Sequence, residues 1–104
     1  MKKGEVWWSK QPMPIGRRPV VLLSRDESYS VRERAVVAQV TTRIRHIPAE
    51  VPLGPQDGLP KPCVINLDEI VTLPKNVLET RIAALSSLKL EAVHRALKFA
   101  LDLE

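Results

Sequence analysis

Several residue types are scarce in this chain, and each scarcity removes a class of protein. The single cysteine, Cys63, rules out an internal disulfide and a cysteine-rich metal site. It lies among apolar residues, so we expect an inert core thiol, because a nucleophilic thiol needs a basic partner. The two histidines, His46 and His94, are far apart and show no metal-ligand spacing. The sequence therefore predicts neither a metal ion nor a cofactor.

Long apolar runs, glycine-rich loops and internal repeats are also missing. No segment reaches the roughly 18 apolar residues of a membrane span, and the opening MKKGEVWW lacks the apolar core of a signal peptide. We therefore expect a cytoplasmic protein without a membrane partner. The four glycines form no phosphate-binding pattern. At 104 residues the chain has the length of one domain, residues 1–104.

The net charge of +4 is concentrated in one part of the chain. Between Gly16 and His46 seven arginines face three acidic residues, whereas the remainder is formally neutral. These arginines are Arg17, Arg18, Arg25, Arg32, Arg34, Arg43 and Arg45. Guanidinium groups bind phosphate oxygens in a forked geometry and stack on bases, so this segment suggests a phosphate-binding face. The alternative is an ordinary solvated basic surface.

Short apolar runs separated by proline, glycine and aspartate predict a protein made mainly of β-strands. The predicted strands are EVWW, RPVVLLS, RAVVAQVTT, AEVPL, PCVINL and TRIAAL, with one helical turn in PKNVLE. Trp7 and Trp8 alternate across the first strand. One of them is therefore expected in the core and the other exposed or at an interface, where an RNA base can stack.

The end of the chain changes to a helical period. Apolar residues recur on one helical face after a serine N-cap at Ser86 or Ser87, namely Leu90, Val93, Leu97 and Ala100. His94 and Lys98 lie off this stripe and are expected to be solvated. Short strands followed by one helix predict a mainly β fold, a small and strongly bent antiparallel β-barrel with the C-terminal helix packed across it.

Five segments, taken in order, carry a family resemblance. They are KKGEVWW, RRPVVLLS, VVAQVTTRIR, VPLGPQDGLPKPCVINLDEIVTL and the terminal helix after AALS. In order and approximate spacing they resemble the MazF/PemK (Kid) toxins of bacterial type II toxin–antitoxin systems, and they cover nearly the whole chain. The resemblance implies an SH3-like antiparallel β-barrel that forms a homodimer.

The resemblance further implies a metal-independent endoribonuclease that cleaves single-stranded RNA at a short motif. The 2′-hydroxyl would attack the adjacent phosphorus, leaving a 2′,3′-cyclic phosphate and a 5′-hydroxyl. Arg18 and Thr41 match the family's catalytic arginine and threonine. A cognate antitoxin is the expected protein partner, with a flexible acidic and apolar segment that would cover the basic groove. The expected RNA-binding residues are Arg17, Thr42, Arg43, Arg45 and Glu69.

Arg18 suits this chemistry on physical grounds. In-line attack builds negative charge on the non-bridging phosphate oxygens, and a fixed guanidinium stabilises that charge in the transition state. Pro19 restricts the preceding residue to an extended conformation, so the strand is a rigid mount for Arg18. Thr41 can hydrogen-bond a phosphate oxygen or the attacking hydroxyl. Adjacent strand residues point to opposite faces, so only one of Thr41 and Thr42 enters a site, and the resemblance favours Thr41.

The chain also departs from the family's pattern. SKQPMPIG is shorter than the usual first loop and lacks its Gly-Ser-Glu, while Glu69 and Val71 stand where many members have an amide and a cation. The cleavage motif therefore does not carry over. Two other functions stay open: a barrel that only binds RNA, and a non-enzymatic toxin of the gyrase-poison type. Gyrase poisons use a terminal Trp-Gly-Ile, whereas this sequence ends in Asp102, Leu103 and Glu104.

Overall fold

The computed structural model describes all residues from Met1 to Glu104. Its strands are β1 (Glu5–Lys10), β2 (Arg17–Leu22), β3 (Arg34–Thr41), β4 (Glu50–Leu53), β5 (Cys63–Pro74) and β6 (Leu78–Ala84). Its helices are α1 (Ser28–Val31) and α2 (Ser87–Ala100), and Pro55–Asp57 and Lys75–Val77 form short 3₁₀ turns. Neither helix is long and apolar enough to cross a membrane.

The six strands form one antiparallel sheet in the order β4-β5-β3-β2-β1-β6. Valine and isoleucine dominate the paired segments, because branched side chains pack well on a pleated surface. With β4 and β6 left as free edges, the sheet is a half-barrel rather than a closed barrel. The predicted antiparallel β architecture with a C-terminal helix is confirmed.

β5 runs further than the sequence pattern indicated. The predicted strand PCVINL stopped at Leu67, whereas β5 continues through a register shift against β3 to Pro74. In this shift Gln39 pairs with Asn66 and the preceding residue of β3 pairs with Ile70, so residues 67–69 of β5 bulge out of register. Such a bulge bends the strand and keeps the pairing going beyond it. A pattern with period two cannot reveal a bulge, because the bulge breaks that period.

Two other segments differ from the prediction. The helical turn predicted in PKNVLE is reduced to the three residues Lys75–Val77, and β6 begins directly at Leu78. The short helix α1 was not predicted at all. It has only four residues and no side-chain cap, so it has no amphipathic period to read.

The two faces of the sheet bury separate apolar clusters. Side chains alternate between faces along a strand, so the neighbours Val20 and Val21 belong to different clusters. The face covered by α2, named the helix face here, holds the larger cluster, including Val21, Ile65 and Leu67. The opposite face, named the open face, holds the smaller one around Val20 and Val37. Each fully buried side chain of this kind contributes about 1.5–3 kcal/mol.

Helix α2 begins where the sequence predicts. Ser86 is the N-cap, and its Oγ accepts the backbone N–H of Lys89 at 3.2 Å. Val93 and Ala96 are buried against the sheet. The prediction that His94 is solvated is wrong: its imidazole is half-buried, and Nε2 finds no hydrogen-bond partner within the chain. Burial, together with the charges of two nearby lysines, lowers the pKa of His94.

Cys63 and the tryptophan pair complete the core. Cys63 is buried, which confirms the core position expected for it, and burial together with the charge of Asp57 raises the pKa of its thiol. Trp7 and Trp8 do not divide into one core and one exposed residue, because both are half-buried. Trp7 packs against the smaller cluster, while the Trp8 ring is covered by a guanidinium.

Candidate functional site

Arg18 and Thr41 come together at one end of the open face. Arg18 lies near the start of β2 and Thr41 ends β3, and the two strands are neighbours. Val20 pairs with Gln39. Arg18 lies two positions before Val20, and Thr41 lies two positions after Gln39, so both lie on the same face as that pair. The backbone pairing of β2 with β3 ends at Val20 and Gln39, which leaves Arg18 and Thr41 beyond the last rung of the ladder. Both are half-buried, so each is held by the fold and still reachable by a ligand.

The Arg18 guanidinium keeps its charge available. None of the four ion pairs of the chain includes Arg18, so no carboxylate lies within 4.0 Å of it. Its backbone is nevertheless fixed, because the hydroxyl of the buried Ser9 donates to the Arg18 carbonyl oxygen at 2.7 Å. A cation that is held at its backbone and unpaired at its head is suited to bind an anion such as a phosphate.

Thr41 stands where β3 turns into a loop. Its Oγ1 accepts the backbone N–H of Arg43 at 3.2 Å, which leaves the hydroxyl hydrogen free to donate elsewhere. Thr42 follows the last residue of β3 and is exposed. The geometry thus separates the two threonines and puts Thr41, not Thr42, beside Arg18.

Arg17 and Arg18 are adjacent in sequence but separated in space. Arg17 is on the other face, where its Nε donates to Glu79 Oε1 at 3.3 Å. Its guanidinium also covers the Trp8 ring at 4.1 Å from the ring centroid. Arg17 therefore has partners within the chain, and the structure does not bring it to the side of the sheet that holds Arg18.

Arg43 and Arg45 are exposed in the loop between β3 and β4. Glu50, the first residue of β4, organises this loop: its Oε1 accepts the backbone N–H of Arg45 at 2.9 Å and that of His46 at 3.0 Å. Its Oε2 has no hydrogen bond and lies 4.0 Å from the Arg45 guanidinium. The side chain of Glu50 is 2% exposed, so this carboxylate is an internal support rather than a surface charge.

Glu69 borders the site through Asn66. Glu69 lies in the bulge of β5 and is exposed, and its Oε1 accepts the side-chain N–H of Asn66 at 3.3 Å. Asn66 is buried and pairs across the ladder with Gln39, which places it on the open face near Thr41. Of the predicted RNA-binding residues, Glu69 and the two loop arginines are thus near this end of the open face, while Arg17 and Thr42 are not.

Sequence reasoning missed five buried polar residues around this site: Ser9, Gln11, Gln39, Glu50 and Asn66. Their signal was present but weak. Gln39 interrupts the apolar run VVAQVTT, and Glu50 starts a short apolar strand. A polar residue inside a buried strand demands a partner, but the sequence alone does not show which one.

The remaining arginines of the basic segment belong to a different place. Arg25, Arg32 and Arg34 rim a groove of about 840 Å³ at the end of α2. Its floor is apolar and includes Val31, Val36, Ile70, Leu97 and Leu101. The basic segment of the sequence is therefore not one continuous face. No three His, Cys, Asp or Glu side chains meet in a way that could hold a metal ion.

Comparison with known proteins gives a consistent result. Residues 2–101 match the family model described as PemK-like, MazF-like toxin of type II toxin–antitoxin system. The chain is 42% identical over 101 residues to the probable endoribonuclease MazF5 of Mycobacterium tuberculosis, covering 96% of this chain and 92% of that protein. The solved Mycobacterium tuberculosis toxin MazF-mt6 superposes with a TM-score of 0.89 at 28% identity, over 96% of this chain and 98% of its own. A mycobacterial endoribonuclease in complex with its cognate antitoxin gives a TM-score of 0.88 at 27% identity, over 100% and 97%.

Proposed function

Because the chain belongs to the PemK-like, MazF-like toxin family of type II toxin–antitoxin systems, we propose that it is an endoribonuclease that cleaves single-stranded RNA. The observation that carries the proposal is the meeting of Arg18 and Thr41 on one face, beyond the last rung between β2 and β3. We also propose that residues 1–104 act as a single toxin domain in the cytoplasm.

Arg18 and Thr41 would promote attack by the RNA's own 2′-hydroxyl. The 2′-hydroxyl gives its proton to water, and the 2′-oxygen bonds to the adjacent phosphorus as the bond to the 5′-oxygen breaks, giving a 2′,3′-cyclic phosphate. The departing 5′-oxygen takes up a proton from water to become a 5′-hydroxyl. A guanidinium about 2.7–3.1 Å from the non-bridging oxygens stabilises the charge that develops there. Thr41 donates its free hydrogen to a phosphate oxygen or orients the attacking hydroxyl. Neither side chain is a strong base, so modest turnover is expected without a metal ion.

Arg43, Arg45 and Glu69 would contact RNA flanking the cut. The two arginines offer charge to phosphates, and each single-strand phosphate contact adds about −0.7 to the slope of log affinity against log salt concentration. The Glu69 carboxylate accepts hydrogen bonds, so it favours a base edge that presents a donor. Arg17 and Thr42, also candidates from the sequence, would lie at most on the rim of the bound strand.

Two protein partners follow from the family. A relative has been solved with its cognate antitoxin, and we propose that an antitoxin likewise neutralises this chain by covering the basic end of the open face. A second copy of the chain would dock on the groove at the end of α2, where Val31, Val36 and Leu101 are exposed at 76%, 37% and 53%. Sedimentation of the pure protein should give a dimer, and Leu101→Asp should give monomers.

The test of function is incubation with a long single-stranded RNA in EDTA, followed by mapping of the cut ends. We expect cuts at a repeated short motif with 5′-hydroxyl ends. Arg18→Ala should abolish them in a folded protein, while Arg17→Ala, on the neighbouring residue but the other face, should change the rate less than about threefold. RNA that is bound but intact would favour a barrel that only binds RNA. RNA that is neither bound nor cut would favour a toxin with another target.

A further inference from the structure

A network of hydrogen bonds between buried polar side chains ends on the backbone of Arg18. The Gln11 side-chain N–H groups donate to Ser9 Oγ at 2.9 Å and to Gln39 Oε1 at 3.0 Å. Gln39 donates back to Gln11 Oε1 at 2.8 Å, and Ser9 donates to the Arg18 carbonyl oxygen at 2.7 Å. Ser9, Gln11 and Gln39 are exposed by 0%, 5% and 4%.

The directions of these four hydrogen bonds are determined by the donor count. Gln11 has two side-chain N–H groups, and both are used, one on Ser9 and one on Gln39. The Ser9 oxygen therefore accepts a hydrogen bond from Gln11, and the Ser9 hydroxyl donates its single hydrogen to the Arg18 carbonyl oxygen. The hydrogen bonds of this network thus point from Gln39 and Gln11 toward Arg18, and Gln11 takes part in three of the four.

This network connects the two strands that carry Arg18 and Thr41. Ser9 lies in β1, Gln11 opens the loop to β2, Arg18 lies in β2, and Gln39 lies in β3 two residues before Thr41. Backbone pairing between β2 and β3 ends at Gln39, so beyond it β2 stays paired only with β1 and β3 only with β5. The side-chain hydrogen bonds of Gln11 link these two parts directly. The loop itself closes on Gln11, whose backbone N–H donates to Gly16 at 2.9 Å.

We propose that Ser9, Gln11 and Gln39 are positioning residues that set the distance between Arg18 and Thr41. The inference rests on the proposed function of that pair. Apolar side chains of similar size would fill this space, as the fully buried Val20 and Val37 do nearby. Hydrogen bonds differ from such packing because they fix direction and distance, and a fully satisfied buried network rigidifies what it contacts. The Arg18 guanidinium must be placed accurately against the non-bridging phosphate oxygens, on which negative charge develops. A displacement of about 1 Å can lower the rate up to about a hundredfold.

The first test removes the bond to Arg18 together with the Ser9 Oγ acceptor of Gln11. Ser9→Ala should lower kcat about tenfold with KM within about twofold, because the RNA still binds while Arg18 is less well placed. Ser28→Ala is the matched control: Ser28 is also buried, and its hydroxyl also donates to an arginine carbonyl, that of Arg25, at 2.9 Å. Equal kcat values for Ser9→Ala and Ser28→Ala would overturn the proposal.

The second test separates positioning from stability. Gln39→Leu leaves one side-chain N–H and the Oε1 of Gln11 unpaired, so it should lower both Tm and kcat. Gln11→Leu with Gln39→Leu replaces both partners by apolar groups, which should restore Tm because no buried donor is left unpaired. If the network positions Arg18, kcat stays about tenfold low in the double variant. Recovery of kcat together with Tm would show that the network serves stability alone and would refute the proposal.

A third readout does not depend on cleavage. In the RNA-free protein, ¹⁵N relaxation of the Arg18 Nε–H should show greater motion in Ser9→Ala than in wild type or Ser28→Ala. If the motion of the Arg18 Nε–H is the same in Ser9→Ala as in wild type, Ser9 does not position Arg18, even if the wild-type protein cleaves RNA normally. Wild-type protein that fails to cleave RNA, with the Arg18 difference present, would instead count against the proposed function and support the network.

Discussion

The helix face and the open face of the sheet bury different kinds of side chain. The cluster under α2 has 12 buried apolar members. The open face has a smaller apolar cluster of seven residues, and at one end it buries the polar Ser9, Gln39 and Asn66. Both faces belong to the same strands, so the difference arises from alternate residues of one sequence.

This difference separates the effects expected from mutation. Apolar contacts have no preferred direction, so a change on the helix face should lower stability and leave the geometry of the site intact. Hydrogen bonds and charges on the open face act through direction, so a change there should lower activity more than stability.

Arg18→Lys should show the largest effect, and on activity alone. Lysine keeps the charge but loses the planar fork, so contacts with two phosphate oxygens are lost. We expect kcat/KM to fall about a hundredfold, or about 2.7 kcal/mol of transition-state stabilisation. Thermal unfolding should be unchanged, because the Arg18 head has no partner within the chain. A drop in Tm of more than a few degrees would contradict the separation of the faces.

Val93→Ala should give the opposite result on the helix face. Val93 is fully buried between α2 and the sheet, and its truncation removes apolar contacts and leaves a small cavity. The free energy of unfolding in urea should fall by about 2 kcal/mol. At temperatures where the variant is folded, kcat and KM should match wild type. A kcat that falls in proportion to stability would mean that the faces are coupled.

Glu50→Gln should weaken the binding of RNA more than it slows cleavage. The amide oxygen can still accept from the loop backbone, but the charge that faces the Arg45 guanidinium is lost. We expect KM for RNA to rise about tenfold, or about 1.4 kcal/mol, with kcat little changed. Glu91→Gln, an exposed residue of α2, is the control of the same chemistry.

A double-mutant cycle identifies the group through which Glu50 acts. In an Arg45→Ala background, Glu50→Gln should add little to KM, because the arginine that it orients is already absent. Additive effects of the two changes would show that Glu50 supports the loop without directing Arg45.

The helix face was the more predictable of the two. The strand segments that form it contain runs of valine and isoleucine. Helix α2 is indicated by the spacing of Leu90, Val93 and Leu97 after the Ser86 N-cap. These signals are local and repeat along the chain, so a single sequence contains them. The bulge in β5 and the short helix α1 were not predicted, because each is an irregularity fixed by contacts with distant segments.

The site was predicted in part, and through the family resemblance. The resemblance named Arg18 and Thr41, and strand alternation alone already put Thr42 on the other face. The same alternation applies to Arg17, whose partners Trp8 and Glu79 come from other strands and could not be inferred. The supports of the site could not be predicted either, because Gln11 and Gln39 are 28 residues apart and nothing local pairs them.

The smallest expected effect concerns pH and returns to the helix face. His94 of α2 is half-buried, and burial together with the charges of Lys3 and Lys98 lowers its pKa below the ordinary 6.5, despite the opposing charge of Glu91. An unfolded chain takes up the proton near pH 6.5, whereas the folded chain does so only at lower pH. The free energy of unfolding should therefore fall slightly as pH drops below about 6.5 and level off below the folded pKa. His94→Gln should remove this slope, and His46→Asn, at an exposed position with φ of 57° that asparagine tolerates, should keep it. A slope that survives His94→Gln would mean that the polar residues of the open face, not the helix face, govern the response of stability to mild acid.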